Sequence, residues 1–245
     1  MVANMGKKKS IKSAYYSNSR WGMFYNPFYF VRKELYNGIA SHATHFTGKL
    51  VDLGCGTKPY EHLFDNVSSY VGLDIEYSGN NEGKSDIDVY YDGKVFPFES
   101  KSIDVLFSSE TFEHIFNLPE ILDEIHRVLK PGGQLLFTCP FFWPEHEVPF
   151  DYARYTSFAL QHMLKERGFS IESEQKTGHY LLVLWQAKAL FLYFIINKIP
   201  GLNRLFFVLF ISPCFILGSL ISYLLPKRLK RKDLFLNHII LAKKL

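Results

Sequence analysis

The chain has 245 residues, 47% of them hydrophobic and 21% charged, and its 28 Lys+Arg against 24 Asp+Glu give a formal net charge of +4. That length can bury a sizeable core, and the apolar share excludes a disordered polymer. The 3 cysteines, odd in number and far apart (Cys55, Cys139, Cys214), exclude a disulfide framework and a cysteine-rich metal site, and they fit a reducing compartment.

The small total hides a segregation. Residues 1–33 carry seven basic side chains (Lys7, Lys8, Lys9, Lys12, Arg20, Arg32, Lys33) and no acid. Residues 34–180 carry 11 basic and 23 acidic groups, a charge of −12, and residues 181–245 carry ten basic groups against Asp233 alone, +9. An acidic body between two basic ends suggests that the ends meet an anionic surface. The −12 body would repel phosphate and no nucleic-acid module is present, so lipid headgroups are expected there rather than nucleic acid.

MVANMGKKKSIK is basic but leads into no apolar run, so no signal peptide is expected, and Met1-Val2 fails the myristoylation pattern. Residues 1–20 read as mobile. From Pro27 to Phe46, the spacing of Phe30, Val31, Leu35, Ile39, His42 and Phe46 predicts an amphipathic lead-in helix.

From residue 49 short apolar runs alternate with helical stretches. KLVDLG, YVGLDI, DIDVYYD, SIDVLFSS, GQLLFTCPF and FSIESEQ read as six strands. LPEILDEIHRVLK has Ile121, Leu122, Ile125, Val128 and Leu129 at helical spacing, with a stop at Pro131-Gly132-Gly133. SFALQHMLKERG is a second helix, ended by Gly168. This alternation predicts an α/β fold: a mostly parallel sheet with helices on both faces.

VDLGCGTKPY closes the first strand in a Gly-rich, strand-to-helix turn at the carboxyl edge of the sheet, where such folds bind ligands. A dinucleotide fingerprint would want a third glycine or alanine where Pro59 stands, which argues against NAD. Asp74 lies 20 residues after Gly54, the spacing at which a carboxylate reaches ribose hydroxyls, and Asp52 adds a second acid. The edge suits a cationic ligand carrying a ribose better than a pyrophosphate.

VDLGCG, GLDIE, DGKVFPFESKSIDVLFSSETFEHI and EILDEIHRVLKPGGQLLFTCPF, in that order over residues 48–175, resemble the class I S-adenosylmethionine-dependent methyltransferases of the small-molecule type. The resemblance is nearest to a branch of glycan and glycolipid assembly that reads GCG-x-KPY early and PFFWPEHEVPFDYARYT after the fifth strand. It implies a Rossmann-like sheet whose last strand is antiparallel. It also implies S-adenosyl-L-methionine as cofactor, with Asp52, Gly54 and Gly56 at the methionine moiety, Asp74 and Ile75 at the ribose, Asp92 at the adenine amino group and Glu110 to His114 lining the pocket.

Methyl transfer from a sulfonium is an in-line displacement, so the protein supplies orientation and, for a hydroxyl acceptor, a base. Candidate catalytic groups are His146, His114 and Asp151. Glu145, Arg154 and Tyr155 are candidates for the substrate, since carboxylates, imidazole and aromatics suit a sugar-like acceptor. A His/Glu/His metal site built from His114, His146 and Glu145 is supported by no ligand spacing, so no metal is expected. Cys55 in the Gly turn and Cys139 at the end of the fifth strand read as small buried residues rather than nucleophiles.

From Tyr180 to Leu225 the chain is almost wholly apolar. LFFVLFISPCFILGSLISYLL, 205–225, carries no charge and is long enough to span a bilayer core of about 30 Å, while 181–196, interrupted by Lys188, resembles a segment lying in the interface. If HIILAKK returns as the last strand, the chain must come back to the side it left. That excludes an odd number of crossings and favours monotopic insertion over a two-span hairpin turning at Pro200-Gly201-Leu202-Asn203. Lys227–Lys232 and Lys7–Lys12 would then meet anionic lipid; a helical homodimer interface is the alternative.

The domain organisation expected is a basic N-terminal segment and lead-in helix (1–47), the methyltransferase core (48–179), an apolar helical insertion (180–233) and the last strand of the core sheet (234–245). The function expected is O-methylation of a membrane-associated glycan or lipid-linked acceptor at the cytoplasmic face of a membrane. The alternative from another class is a catalytically silent membrane adaptor that kept the fold.

Overall fold

The computed structural model describes residues 28–76, 86–198 and 212–245. The expected mobile segment with its Lys7–Lys12 cluster, the turn at Pro200–Asn203 and residues 205–211 of the apolar tract lie outside them. The chain divides into two compact units, Gly38–Gln175 with Asn237–Leu245, and Met1–Asn37 with Lys176–Leu236.

The larger unit is built on a seven-stranded sheet of β1 (Gly48–Leu53), β2 (Val67–Ile75), β3 (Val89–Tyr91), β4 (Ile103–Ser109), β5 (Leu129–Pro140), β6 (Phe169–Lys176) and β7 (Asn237–Lys244), in the order β3-β2-β1-β4-β5-β7-β6. β1 pairs parallel with β2 and β4, β2 with β3 and β4 with β5, whereas β7 runs antiparallel to β5. This is the mostly parallel sheet with an antiparallel last strand that the sequence predicted. Leu50, Val51 and Leu53 of β1 are all buried, as a central parallel strand covered on both faces requires. The chain leaves β1 toward β2 on one side and returns to β4 on the other, so β1 and β4 flank the switch point at which ligands bind.

Helix α1 (Tyr29–Ala43) buries Phe30, Val31, Leu35 and Ile39, the spacing read from the sequence. Helix α2 (Leu118–Val128) presents Leu118, Ile121, Leu122, Ile125 and Val128 to the core. Burying each such side chain contributes about 1.5–3 kcal/mol as an upper figure. Helix α3 (Ser157–Glu166) starts at Thr156, whose side chain accepts from the Ala159 amide, and ends before Gly168 at φ +74°.

Two connections differ from expectation. Between β1 and β2 the sequence predicted a strand-to-helix turn, but residues 54–66 hold a single 3-10 turn, Glu61–Leu63. No α-helix follows the glycines, so no helix dipole faces the glycine turn. The stop for α2 comes at Leu129, already extended, and Pro131-Gly132-Gly133 lie within β5, where the register against β4 slips between Ile103 and Val105.

In the smaller unit, α4 (Tyr180–Asn197) and α5 (Ser212–Leu224) pack together, and a Cβ at Gly218 would stand 2.3 Å from the Trp185 ring, so the missing side chain is what admits the indole. α4 leaves Leu184, Phe191, Phe194 and Ile195 exposed, and α5 leaves Leu217, Leu220, Ile221 and Leu224 exposed. Among the described residues no helix is long and apolar enough to cross a membrane. At 13 residues α5 reaches about 20 Å, short of the roughly 30 Å hydrocarbon core.

Candidate active site

At the carboxyl end of β1 the two glycines act differently. A Cβ at Gly54 would lie 2.3 Å from Thr111 Oγ1, so Gly54 is where the segment after β4 closes against the turn. Gly56 has φ +47°, and a Cβ there would meet nothing within 4 Å, so it borders open space. Its amide donates to Asp74 Oδ2 at 3.0 Å and the Ile75 amide donates to Oδ1 at 2.8 Å, which fixes the Asp74 carboxylate at the end of β2.

Asp52 is buried and accepts from the Tyr70 hydroxyl at 2.5 Å. Burial pushes its carboxyl up to about 7; the Tyr70 bond opposes the rise and the Asp74 charge adds to it. Burial also raises Asp74, the Gly56 and Ile75 amides oppose it, and the charge of Glu147 raises it further. Glu147, from the segment after β5, therefore lies close to this edge.

Lys58, the departure from the dinucleotide pattern, has φ 50° and pairs with Asp88, which also accepts from the Gly72 amide at 2.7 Å. A Cβ at Gly72 would stand 2.4 Å from Lys58 Cε, so the lysine is packed into the scaffold. Asp92 is exposed and accepts from the Lys94 and Val95 amides, both at 2.9 Å, which hold its carboxyl below the usual range. Cys55 and Cys139 are buried, and burial pushes both thiols up.

The segment after β4 opens with Glu110, whose carboxylate accepts from the Thr138 hydroxyl and from Asn237 Nδ2, each at 2.7 Å. Burial raises its carboxyl to about 7, against both bonds. The Glu110 side chain is therefore tied to β5 and β7.

The 3-10 turn Phe112–His114 follows, with Glu113 fully buried. Its backbone carbonyl accepts from the amides of Tyr152 (2.8 Å) and Ala153 (3.3 Å), which pins the segment after β5 over the end of β4. That segment brings His146 against His114, ring centroids 4.7 Å apart at 73°. Glu113 Oε1 lies 3.7 Å from His114 Nε2 and 3.9 Å from His146 Nε2. Burial, with the neighbouring His114, lowers the pKa of His146.

Arg154 holds the segment together. It grips Asp151 with both terminal nitrogens, at 2.6 and 2.7 Å, and donates to the carbonyls of Ala153, Pro144 and Trp143. Asp151 also accepts from the His146 amide at 3.0 Å. Burial alone would raise Asp151, but Arg154 and that amide hold it at about 2. The carboxylate expected to act as a base is thus a permanent anion committed to Arg154. Glu145 is exposed, and Tyr155 is half-buried against the core with its carbonyl 3.0 Å from His238 Nε2.

The structure brings Asp52, Gly54, Gly56 and Asp74 together at one end of the switch point, and His114, His146, Asp151 and Arg154 at the other. Glu113 was expected only as part of the pocket lining, not beside two imidazoles; its burial between them depends on a segment more than 30 residues away.

Residues 51–137 match the family model described as a methyltransferase domain. Among curated proteins, a sarcosine/dimethylglycine N-methyltransferase of Aphanothece halophytica is 35% identical over 104 residues, 38% of either chain. A fatty-acid O-methyltransferase of Mycolicibacterium smegmatis is 27% identical over 148 residues, 57% of this chain and 53% of that one. The match thus spans about half or less of these relatives. The solved structure of a geranyl diphosphate methyltransferase in complex with S-adenosylmethionine superposes with a TM-score of 0.56 at 14% identity, covering 89% of this chain and 91% of that one.

Proposed function

Starting from the class I S-adenosylmethionine-dependent methyltransferase domain that this chain carries, we propose that it methylates an oxygen of a membrane-associated glycan or glycolipid at the cytoplasmic face of a membrane. The observation that carries the cofactor half is the open, acidic cradle at Gly56, bordered by the fixed Asp74 carboxylate and by Asp52. Crowded carboxylates whose protons are held up toward neutrality favour a cation among them. S-adenosylmethionine, when bound, supplies a methyl group on a cationic sulfur, whose bonding pair stays on sulfur as the acceptor oxygen forms the new bond.

In this reading Asp74 binds the ribose hydroxyls, and Asp52 with the Gly54–Gly56 backbone holds the methionine portion. The acceptor meets the imidazole pair His114 and His146, where its proton is taken up. Burial keeps His146 neutral and competent to receive it near neutral pH. Asp151 and Arg154 position His146 and take no proton themselves. The charge of Glu147 bears on Asp74, which supports a reading in which the segment after β5 faces both reactants.

The membrane half is supported by the apolar stripes on the smaller unit. Leu217, Leu220, Ile221 and Leu224 recur at helical spacing on α5, and Leu184, Phe191, Phe194 and Ile195 do so on α4, all exposed. The chain after α5 carries Arg228, Lys230, Arg231 and Lys232 for anionic headgroups. Neither helix crosses a bilayer, so the reading is a surface that lies in the interface.

The test pairs two measurements on the full chain. Calorimetry should give binding of S-adenosylhomocysteine, and flotation with vesicles containing anionic phospholipid should carry wild-type protein but not Leu220→Glu/Leu224→Glu. A variant that floats as well as wild type would sink the membrane reading, and a dimer that the same changes dissolve would assign the stripes to self-association.

A further inference from the structure

We propose that Glu113, His114 and His146 form a binding site for a divalent transition-metal ion of the zinc class, with a position left open toward the methyl acceptor. The inference rests on the methyl-transfer reading above and deepens its acceptor side. The side-chain donor atoms of the three residues all lie within 4.8 Å of one another.

The Glu113 carboxylate is the first observation. It is 1% exposed, and apart from its own amide no hydrogen-bond donor reaches either oxygen. Such a group is costly in an interior unless something positive meets it. Arg154, whose charge bears on Glu113, directs its own donors to Asp151 and to backbone carbonyls.

The second observation is what holds each ring from behind. His114 Nδ1 lies 2.8 Å from the Phe150 carbonyl, which can only accept, so Nδ1 carries the hydrogen and Nε2 presents a lone pair. His146 Nδ1 lies 3.2 Å from Asp151 Oδ2, which Arg154 and the His146 amide fix in place, although the alignment falls short of a hydrogen bond. Both Nε2 atoms therefore turn to the same carboxylate oxygen, at 3.7 and 3.9 Å. With its Nδ1–H turned to Asp151, the His146 ring would present a second lone pair beside that carboxylate, an arrangement that favours a cation among the three groups. A carbonyl or carboxylate behind a ligating imidazole is the partner that fixes its tautomer and orientation.

The spacing is also right. With metal–ligand bonds of about 2.0–2.2 Å, donors around a tetrahedral ion stand roughly 3.4 Å apart. The two carboxylate–imidazole separations need to close by only a few tenths of an ångström, and all three donor atoms already lie within 4.8 Å of one another. Two imidazoles and one carboxylate leave a fourth position open. A hydroxyl oxygen entering it would lose its proton to water near neutral pH, because the ion stabilises the anion that remains. That ion supplies the activation which a neutral imidazole alone would supply weakly.

The test uses the full chain, stripped with a chelator and titrated with Zn²⁺ by calorimetry, and with Co²⁺ for its visible absorption. Wild type should bind one equivalent, with the intense Co²⁺ spectrum of a four-coordinate site. Glu113→Gln and His146→Gln should each weaken Zn²⁺ at least 100-fold while keeping the wild-type melting profile and S-adenosylhomocysteine affinity. Asp74→Ala should leave Zn²⁺ binding unchanged. If Glu113→Gln does not fold, His146→Gln and His114→Gln carry the comparison. Equal Zn²⁺ affinity in wild type and these variants, or no binding at all, would overturn the site, and the imidazole pair would then act as a base unaided. Binding with no methyl transfer to any glycan or lipid acceptor would support the site and count against the enzymatic reading alone.

Discussion

The two ends of the switch point are built on opposite principles. At the β1/β2 end the Asp74 carboxylate has both oxygens held by amides, its neighbour Ile75 at the end of β2 and Gly56 in the turn after β1, 18 positions earlier. At the β4/β5 end the Glu113 carboxylate has no outside donor, and it is faced by its neighbour His114 and by His146, 33 positions later. A prefolded, satisfied carboxylate suits a ligand with many contacts and a fixed shape. A buried, unsatisfied one suits a ligand of concentrated charge. The contrast teaches that the common reactant is met by a carboxylate already satisfied by backbone amides, and the distinctive chemistry by one left without a donor.

The sharpest way to break that contrast is Asp74→Ala. Two charge-assisted hydrogen bonds to ribose hydroxyls are worth about 1.5–3 kcal/mol each, so affinity for S-adenosylhomocysteine should fall by roughly 100-fold or more. Unchanged affinity by calorimetry would remove Asp74 from the cofactor. Next in size is Arg154→Ala at the other end. It strips the buried Asp151 of both short bonds, at a cost of about 2–3 kcal/mol after allowing for the partly exposed guanidinium. Denaturant unfolding should register that loss while cofactor affinity moves less than threefold. A parallel collapse of cofactor binding would mean that the two ends are one unit.

Sequence legibility follows the same divide. Asp52, Gly54, Gly56 and Asp74 are readable because a parallel sheet makes the spacing from strand end to strand end nearly invariant. Four core positions of α2 (Ile121, Leu122, Ile125 and Val128) are readable because the helical period dictates them, whereas the antiparallel β7 was expected only through the family resemblance. Glu113 is not, because FEH reads equally well as a capping turn, and only the backbone bonds from Tyr152 and Ala153 bring His146 over it. Asp151 and Arg154 look like chemistry in the sequence because charged residues in a Pro-punctuated segment do; their pairing as a brace appears only in three dimensions. The turn after Gly56 was misread as a helix start since Lys58-Pro59 gives no sign that the lysine folds back onto Asp88.

A pH series sharpens the comparison with a smaller effect. Asp52 is raised to about 7 in the folded protein from an ordinary carboxyl value near 3.8. The folded state therefore holds a proton that the unfolded state has released, and this group's contribution to stability falls as pH rises from about 4 through 7, then levels off. Binding of a cationic ligand favours the ionised form. Affinity for S-adenosylmethionine should accordingly climb across pH 6–7, by up to about tenfold per pH unit for one proton released, and flatten above. Asp52→Asn should abolish the slope. A wild-type affinity that stays flat across that range would place Asp52 away from the bound cation.

The smallest effect separates the two glycines. Gly54→Ala drives a Cβ into Thr111 at 2.3 Å and must displace the segment that leads to Glu113, so it should disturb both ends. Gly56→Ala meets nothing within 4 Å and pays only for φ +47°, about 1–2 kcal/mol for an L-residue in that region. Its free protein should unfold slightly earlier in denaturant. Cofactor affinity should weaken as well, because the added methyl occupies the cradle beside Asp74. Zn²⁺ binding, by contrast, should not change, since no ligand of that site depends on the Gly56 backbone. If Gly56→Ala weakened Zn²⁺ as much as Gly54→Ala does, the open space at Gly56 would belong to both ends, and their independence would be lost.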